Sequence, residues 1–180
     1  MGKIYEGITP ELAAWIDAQP LFFVGTAPLS GTGHVNVSPK GLDTLRILGP
    51  RRVAYLDLTG SGAETIAHVR ENGRIVLMFC AFGGPPKIVR LHGKARAGAP
   101  ESELRVHFPE HMGARAIIDV AVTRVSDSCG YGVPKFGAPE PREALDMWTR
   151  KKGAEGLAAY RRQKNARSID GLPALEEDEA

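Results

Sequence analysis

The sequence has little cysteine, no long apolar run and almost no excess charge of either sign. Its 180 residues include two cysteines, Cys80 and Cys129, which are too few for a disulfide scaffold and favour a reducing, cytoplasmic location. The longest apolar run, residues 75–82, has the length of a strand, whereas a membrane span needs roughly 18 apolar residues. Residues 1–15 lack the continuous apolar segment of a secretory signal. We therefore expect no membrane association.

The charge balance argues against nucleic-acid binding over the whole surface. The chain carries 23 basic and 21 acidic side chains, a formal net charge of +2. The basic run at residues 161–164 has no interleaved aromatic side chains, which is typical of a solvated helix face. With 43% hydrophobic and 24% charged residues, the composition is that of a single globular domain.

Turn signals divide the chain into short strands and a few helices. Strands are predicted at residues 21–27, 34–38, 52–58, 74–82, 87–97 and within 114–125. Helices are predicted from Pro10 to before Pro20, over 62–72, over 101–106 and over 141–165 with interruptions at Gly153 and Gly156. Because most strands follow one another directly, a doubly wound parallel sheet is excluded, and about six antiparallel strands indicate a small barrel or sandwich. Of these two, we favour the barrel.

The strongest local signal for function is a strand, glycine-rich turn and helix between Arg52 and Asn72. Thr59, Gly60, Ser61 and Gly62 form the turn. A helix N-terminus with glycines beside it suits a phosphate group, because unpaired backbone N–H groups point outward there. The alternative is an ordinary capped helix. A dinucleotide fingerprint fits poorly, since Thr65 replaces its third glycine.

Ser61 and Glu64 have the spacing of a capping box, which predicts that the helix begins at Gly62 and that the Glu64 side chain is used in the cap.

Two strands place polar side chains on one face. His34, Asn36 and Ser38 alternate with valines just before Lys40, an arrangement that suits either a polar ligand or a half-exposed strand. Arg90 shares a strand face with His92, and its guanidinium could bind a phosphate or a ring oxygen.

Other motifs are weak. Residues 107–111 read H-x-x-E-H, but Pro109 breaks the helix that a zinc site of this type needs, so no metal is expected. A serine-hydrolase elbow is absent, and Cys129 has no neighbouring base, which favours a packed or spectator thiol. No catalytic side chain is therefore assigned.

Three segments together resemble the pyridoxamine 5′-phosphate oxidase-like proteins, and more closely the uncharacterised branch of that family. They are HVNVSPKG at residues 34–41, VAYLDLTGSGAETIAHVRENGRIVLMF at 53–79 and KIVRLHGKA at 87–95. In addition, SCGYGVP at residues 128–134 looks like a variant of the family's Gly-Tyr-Arg-Val-x-Pro segment. The resemblance covers roughly residues 9–139.

The resemblance implies a six-stranded antiparallel Greek-key split barrel, mainly β with peripheral helices, that binds FMN in clefts between the subunits of a homodimer. Residues 1–140 would form this barrel. Residues 141–180 would be a helical extension and an acidic tail of the same domain. The tail is LEEDEA at residues 175–180, which has the composition of a solvated acidic segment.

The resemblance also implies cofactor-binding residues. Those on the strand along the flavin are Asn36, Val37, Ser38 and Lys40; those at the phosphate turn are Thr59, Gly60, Ser61, Gly62 and Thr65; and Arg90 would reach the flavin of the partner chain. The family's Ser-Arg-Lys at the helix start is replaced by Ala63, Glu64 and Thr65, so Glu64 is expected to point away from the phosphate. Gly132 stands where a substrate-binding arginine is expected, which argues against pyridoxamine phosphate as substrate.

We therefore expect an FMN-dependent oxidoreductase with an unknown small-molecule substrate. His34 or His92 could donate a proton near the flavin ring, or each could be a structural histidine. The alternatives are a carrier or sensor of flavin, deazaflavin or haem on the same barrel without turnover, and a dimeric scaffold with an empty cleft.

Overall fold

The computed structural model describes residues 2–137 and 139–176. Its strands are β1 (Ile4–Tyr5), β2 (Phe22–Thr26), β3 (Asn36–Lys40), β4 (Leu45–Gly49), β5 (Arg52–Leu58), β6 (Arg74–Cys80), β7 (Ile88–Gly98) and β8 (Ala114–Ser128). Its helices are α1 (Pro10–Asp17), α2 (Glu64–Asn72) and α3 (Ala144–Lys164), with a short 3₁₀ helix at Glu103–His107.

The strands form one antiparallel sheet in the order β3-β2-β6-β7-β8-β5-β4, and β1 pairs with β8. This confirms the predicted class: mainly antiparallel β structure with peripheral helices. Eight strands are present among the described residues, whereas the sequence predicted six, because β1 and β4 carry no strand signal of their own. β1 has only two residues, and it is a strand only because it pairs with β8, with Ile4 opposite Ser126. β4 pairs along the edge of β5, with Leu45 opposite Tyr55.

The sheet curls around its main apolar core, which α1 and α2 cover, and a second, smaller apolar cluster lies on the opposite face of β5 and β8. Leu12 and Ile16 of α1 are buried, as the spacing predicted. At the centre, the rings of Phe22 and Phe79 stack with centroids 5.6 Å apart, and Tyr55 meets Phe22 edge-on at the same distance. This packing holds β2, β5 and β6 against one another, and β5 also carries a polar residue of the site described below.

Helix α2 begins at Glu64 and not at Gly62, so the predicted capping box is wrong. Ala63 is the N-cap residue, and no side chain caps the helix. The carboxylate of Glu64 instead accepts a hydrogen bond from the N–H of Ile169 at 3.3 Å. The predicted end of the helix is correct: Gly73 adopts a φ of 71°, a conformation that glycine tolerates best.

The C-terminal part of the chain returns to the barrel. Helix α3 is broken at Gly153, one of the two predicted interruptions, where φ is 65°. After α3, Ala174 and Leu175 are buried in the same core as the strands. The predicted acidic tail included Leu175, which is buried; residues 177–180 lie outside the described residues. Within the described part of the chain, no helix is both long and apolar enough to cross a membrane.

Candidate functional site

The site is organised around Asp57, a carboxylate with no solvent exposure. Side chains two residues apart in a strand point to the same face, so Asp57 lies on the inner face of β5 with Val53 and Tyr55. Its carboxylate therefore lies inside the barrel. Lys40 Nζ donates to Asp57 Oδ1 at 2.5 Å, and Arg115 Nε donates to Asp57 Oδ2 at 2.7 Å. Burial alone raises the pKa of Asp57, but the charges of Lys40 and Arg115 outweigh it and lower the pKa below its ordinary value. The carboxylate is therefore ionised and holds two cations in fixed positions.

Three strands supply this cluster. Lys40 ends β3, Asp57 lies near the end of β5, and Arg115 follows the first residue of β8. The register between β5 and β8 shifts at Asp57 and Leu58, and this irregularity ends the regular pairing beside the cluster. The ends of β5 and β8 are therefore not regularly paired where they meet the glycine-rich turn at residues 59–62.

A cavity of about 270 Å³ lies beside the two cations. It is lined by Ser38, Lys40, Leu58, Gly60, Ser61, Gly62, Glu64, Thr65 and Arg115. The N-terminus of α2 opens onto this cavity, since Glu64 and Thr65 are the first two residues of the helix. A cavity with two cations, hydroxyl groups and a helix N-terminus has the donor set that binds a phosphate.

A hydrogen-bond network extends from the cavity into the core. Ser38 Oγ donates to Asn36 Oδ1 at 3.2 Å, and Asn36 Nδ2 donates to Thr65 Oγ1 at 3.0 Å. Thr26 Oγ1 lies 3.4 Å from Asn36 Nδ2 and 3.0 Å from Nδ1 of the buried His68. Burial lowers the pKa of His68, so its ring is neutral at pH 7. The network fixes the orientation of the polar face of β3.

The structure brings most of the residues predicted to bind the cofactor to this one place. Six of them line the cavity: Ser38, Lys40, Gly60, Ser61, Gly62 and Thr65. Asn36 is joined to it by the hydrogen bonds above. Thr59 is buried next to the cavity, and its hydroxyl donates to Gly113 O at 2.9 Å and accepts from Arg161 Nε at 3.0 Å.

Val37 and Arg90 lie on the other face of the sheet. Val37 is 65% exposed there, in a shallow groove of about 390 Å³ that Val76 and His92 also line. Arg90 Nη1 donates to Ser128 Oγ at 3.1 Å. These two residues therefore do not join the cavity within one chain.

Glu64 also lines the cavity, and its orientation relative to a bound phosphate stays a prediction. Its carboxylate folds back over Gly62, where a Cβ would collide with Oε2, and the hydrogen bond from Ile169 N holds Oε1.

His34 does not line the cavity. Its side chain is exposed, and its Nδ1 lies 2.6 Å from Asp170 Oδ1. In the H-x-x-E-H segment, His111 Nδ1 accepts from Gly113 N, and His111 Nε2 lies 3.0 Å from Asp146. Across the described ranges, no group of three histidine, cysteine, aspartate or glutamate side chains is placed to hold a metal ion.

Sequence reasoning missed Asp57, Arg115 and Arg161. A signal for Asp57 was available, because an acid at the third inward position of a strand with Val53 and Tyr55 needs a buried partner. Nothing in the sequence identified Arg115 as that partner, since the two residues are 58 positions apart and meet through strand pairing.

Comparison with known proteins gives similarities in both sequence and structure. A family model described as pyridoxamine 5′-phosphate oxidase matches residues 8–129. A pyridoxamine 5′-phosphate oxidase family protein, ustO of Aspergillus flavus, is 42% identical over 199 residues, covering 97% of this chain and 78% of that protein. HupZ from Group A Streptococcus has a similar structure over 66% of this chain and 91% of its own, with 21% identity and a TM-score of 0.52.

A candidate pyridoxamine 5′-phosphate oxidase from Lactobacillus delbrueckii is also similar in structure, over 68% of this chain and 98% of its own, with 17% identity and a TM-score of 0.52. At these identities, the two structural similarities concern the fold alone.

Proposed function

The chain belongs to the pyridoxamine 5′-phosphate oxidase family, and we propose that it is an FMN-binding oxidoreductase that acts as a homodimer in the cytoplasm. The observation that carries this proposal is the cavity between Lys40, Arg115 and the turn at residues 59–62. Its donors suit the single terminal phosphate of FMN: two fixed cations, the hydroxyls of Ser61 and Thr65, and backbone N–H groups at the start of α2.

The size of the cavity supports a shared cofactor site. About 270 Å³ is less than the roughly 300–1,000 Å³ of typical ligand pockets, so one chain encloses only the phosphate end of a flavin. The rest of the cofactor then needs a second surface, and a partner chain would supply it.

The outer face of the sheet is the candidate surface for the partner. Val35 and Val37 are 73% and 65% exposed, and they border the groove lined by Val76 and His92. An exposed apolar surface of this kind is typical of an interaction site. In a homodimer this face would carry Val37 and Arg90 to the cofactor of the other chain, which accounts for their distance from the cavity of their own chain.

Bound FMN supplies two-electron redox chemistry that no side chain provides. The protein binds its phosphate and orients it through Lys40 and Arg115. His92 is the candidate hydrogen-bond partner for the flavin ring on the outer face, because no hydrogen bond among the described residues engages its Nδ1. Burial and the nearby Arg124 and Arg90 lower the pKa of His92, so its ring is neutral at pH 7. The glycine at position 132 supports a substrate other than pyridoxamine 5′-phosphate.

The proposal is tested by the visible spectrum of the purified protein and by fluorescence titration with FMN and with riboflavin, which lacks the phosphate. We expect about one FMN per chain. K40M should weaken FMN binding by about tenfold or more and leave riboflavin binding unchanged, since a charge-assisted contact contributes about 1.5–3 kcal/mol. K151M removes the same charge at an exposed position of α3 and serves as the control.

A colourless protein that neither binds FMN nor quenches its fluorescence would refute the FMN proposal, and deazaflavin and haem would be tested next. If FMN binds, reduction by NADH or NADPH and reoxidation by an acceptor separate the enzyme from a carrier. Bound flavin that no donor reduces would favour the carrier or sensor.

A further inference from the structure

The C-terminal part of the chain contacts the turn that borders the cavity. Asn165, at the end of α3, is fully buried, and its Nδ2 donates to Gly60 O at 2.9 Å. One helical turn earlier, Arg161 Nε donates to Thr59 Oγ1 at 3.0 Å and Arg161 Nη2 donates to Ala114 O at 2.8 Å. We propose that Arg161 and Asn165 are positioning residues of the phosphate site, which act through the turn at residues 59–62. This inference rests on the proposed FMN-binding function.

The contact with Gly60 fixes the direction of the next N–H group. In a trans peptide the carbonyl oxygen and the following N–H point to opposite sides. Asn165 makes the shorter of two contacts with Gly60 O, at 2.9 Å against 3.5 Å from Arg115 Nη1. With Gly60 O held toward α3 in this way, the N–H of Ser61 points away from α3. In the part of the chain that the structure describes, the N–H groups of Ser61 and Gly62 make no hydrogen bond to protein. Asn165 thus keeps a donor available to a ligand.

Arg161 contributes charge as well as position. Around the cavity, the charges of Lys40 and Arg115 are offset by those of Asp57 and Glu64. Both hydrogen bonds of the half-buried Arg161 go to uncharged oxygen atoms. Glu101 offsets this charge only through space, since no ion pair joins it to Arg161 among the described residues. The guanidinium therefore adds positive charge next to the turn, and this charge favours an anionic ligand.

The chain continues along the same wall of the site. Ile169 N–H holds the carboxylate of Glu64, and Asp170 accepts from the N–H of His34 at 2.7 Å just before β3. The segment from Arg161 to Asp170 therefore touches the turn, the first residue of α2 and the approach to β3. It lies outside residues 8–129, which the family model matches. The phosphate site of this chain thus depends on a segment beyond the family's common region.

The test compares FMN with riboflavin in the full-length variants N165A and R161M. We expect each to raise the dissociation constant for FMN about tenfold and to leave that for riboflavin within about twofold, because only FMN carries the phosphate. R162M removes an exposed charge from the same helix and should change neither constant. N165S is the second variant, in case N165A does not fold, and thermal denaturation checks each protein.

Each result decides the inference. If wild type binds FMN but the variants weaken both flavins equally, or neither flavin, Arg161 and Asn165 are only structural and the inference is wrong. If wild type binds no FMN, the proposed function fails and this inference fails with it. A selective loss of FMN binding in R161M and in either Asn165 variant supports it.

Discussion

Lys40 Nζ lies 2.5 Å from Asp57 Oδ1, although β3 and β5, their strands, stand first and sixth in the sheet order. Four strands separate them, so the ion pair joins distant parts of the sheet across the inside of the barrel. The same carboxylate binds Arg115 of the neighbouring strand β8. Asp57 therefore holds both cations at the cavity, and it can reach Lys40 only because the sheet is curved.

Replacing Asp57 by asparagine should lower the free energy of unfolding by about 3–5 kcal/mol, because it leaves two cations in a buried place without their counter-charge. Urea unfolding of D57N and wild type at pH 7 measures the loss. The matched control is D119N, since Asp119 pairs with Arg52 across the same two strands at 2.9 Å but on the exposed side. D119N should cost about 1 kcal/mol or less. Equal losses in both variants would contradict the role given to Asp57.

His68 should make the free energy of unfolding depend on pH below about 6.5. Burial lowers its pKa in the folded protein, so below the ordinary value of about 6.5 the unfolded chain binds a proton that the folded chain does not. The free energy of unfolding should therefore fall as pH decreases, by up to about 1.4 kcal/mol per pH unit, until the lowered pKa is reached.

Urea unfolding of wild type and H68Q at pH 7.5 and 5.5 isolates this contribution of His68. H68Q should lose less stability than wild type over this interval, because it lacks the group whose pKa folding lowers. H107Q, at an exposed histidine of the 3₁₀ helix, should behave like wild type. An H68Q protein with the pH dependence of wild type would show that folding does not lower the pKa of His68.

V35K should dissociate the proposed dimer. Val35 is 73% exposed next to the apolar groove on the outer face, and a lysine there places a charge in the interface. Sedimentation velocity at micromolar concentration measures the loss of dimer, and FMN affinity should fall with it. V106K, at a valine that is 83% exposed in the 3₁₀ helix, should remain dimeric and bind FMN normally. A wild-type monomer that binds FMN with full affinity would refute the shared site.

The two cysteines should react at very different rates. Cys129 is exposed, whereas Cys80 is buried and its pKa is raised by that burial. A disulfide-exchange reagent at pH 8 should modify one thiol per native chain and both thiols in urea. C129S should show no fast reaction when folded. Rapid modification of C129S would mean that β6 opens readily at its end.

Several features of the site could be predicted from local sequence rules. The alternation of β3 put Asn36, Ser38 and Lys40 on one face, and the glycine-rich turn put residues 60–62 before a helix. These rules work because both depend on local geometry. Side chains alternate along any strand, and glycine can adopt backbone conformations in a turn that other residues avoid.

The predicted capping box does not form, because a distant backbone N–H group binds the Glu64 carboxylate. Ser61 and Glu64 have the right spacing, but the N–H of Ile169, 105 residues later, takes the carboxylate of Glu64. Spacing along the chain contains no information on such a competitor.

The antiparallel β class, the polar face of β3 and the turn before α2 were predictable, since each follows from periodicity or from backbone preferences of adjacent residues. The pairing of Asp57 with Lys40 and Arg115 was not predictable, nor was the support that Arg161 and Asn165 give to the turn, because each joins segments far apart in the chain. A buried charge is stable only where a partner is near, and the curvature of the sheet and the return of the C-terminal segment select that partner.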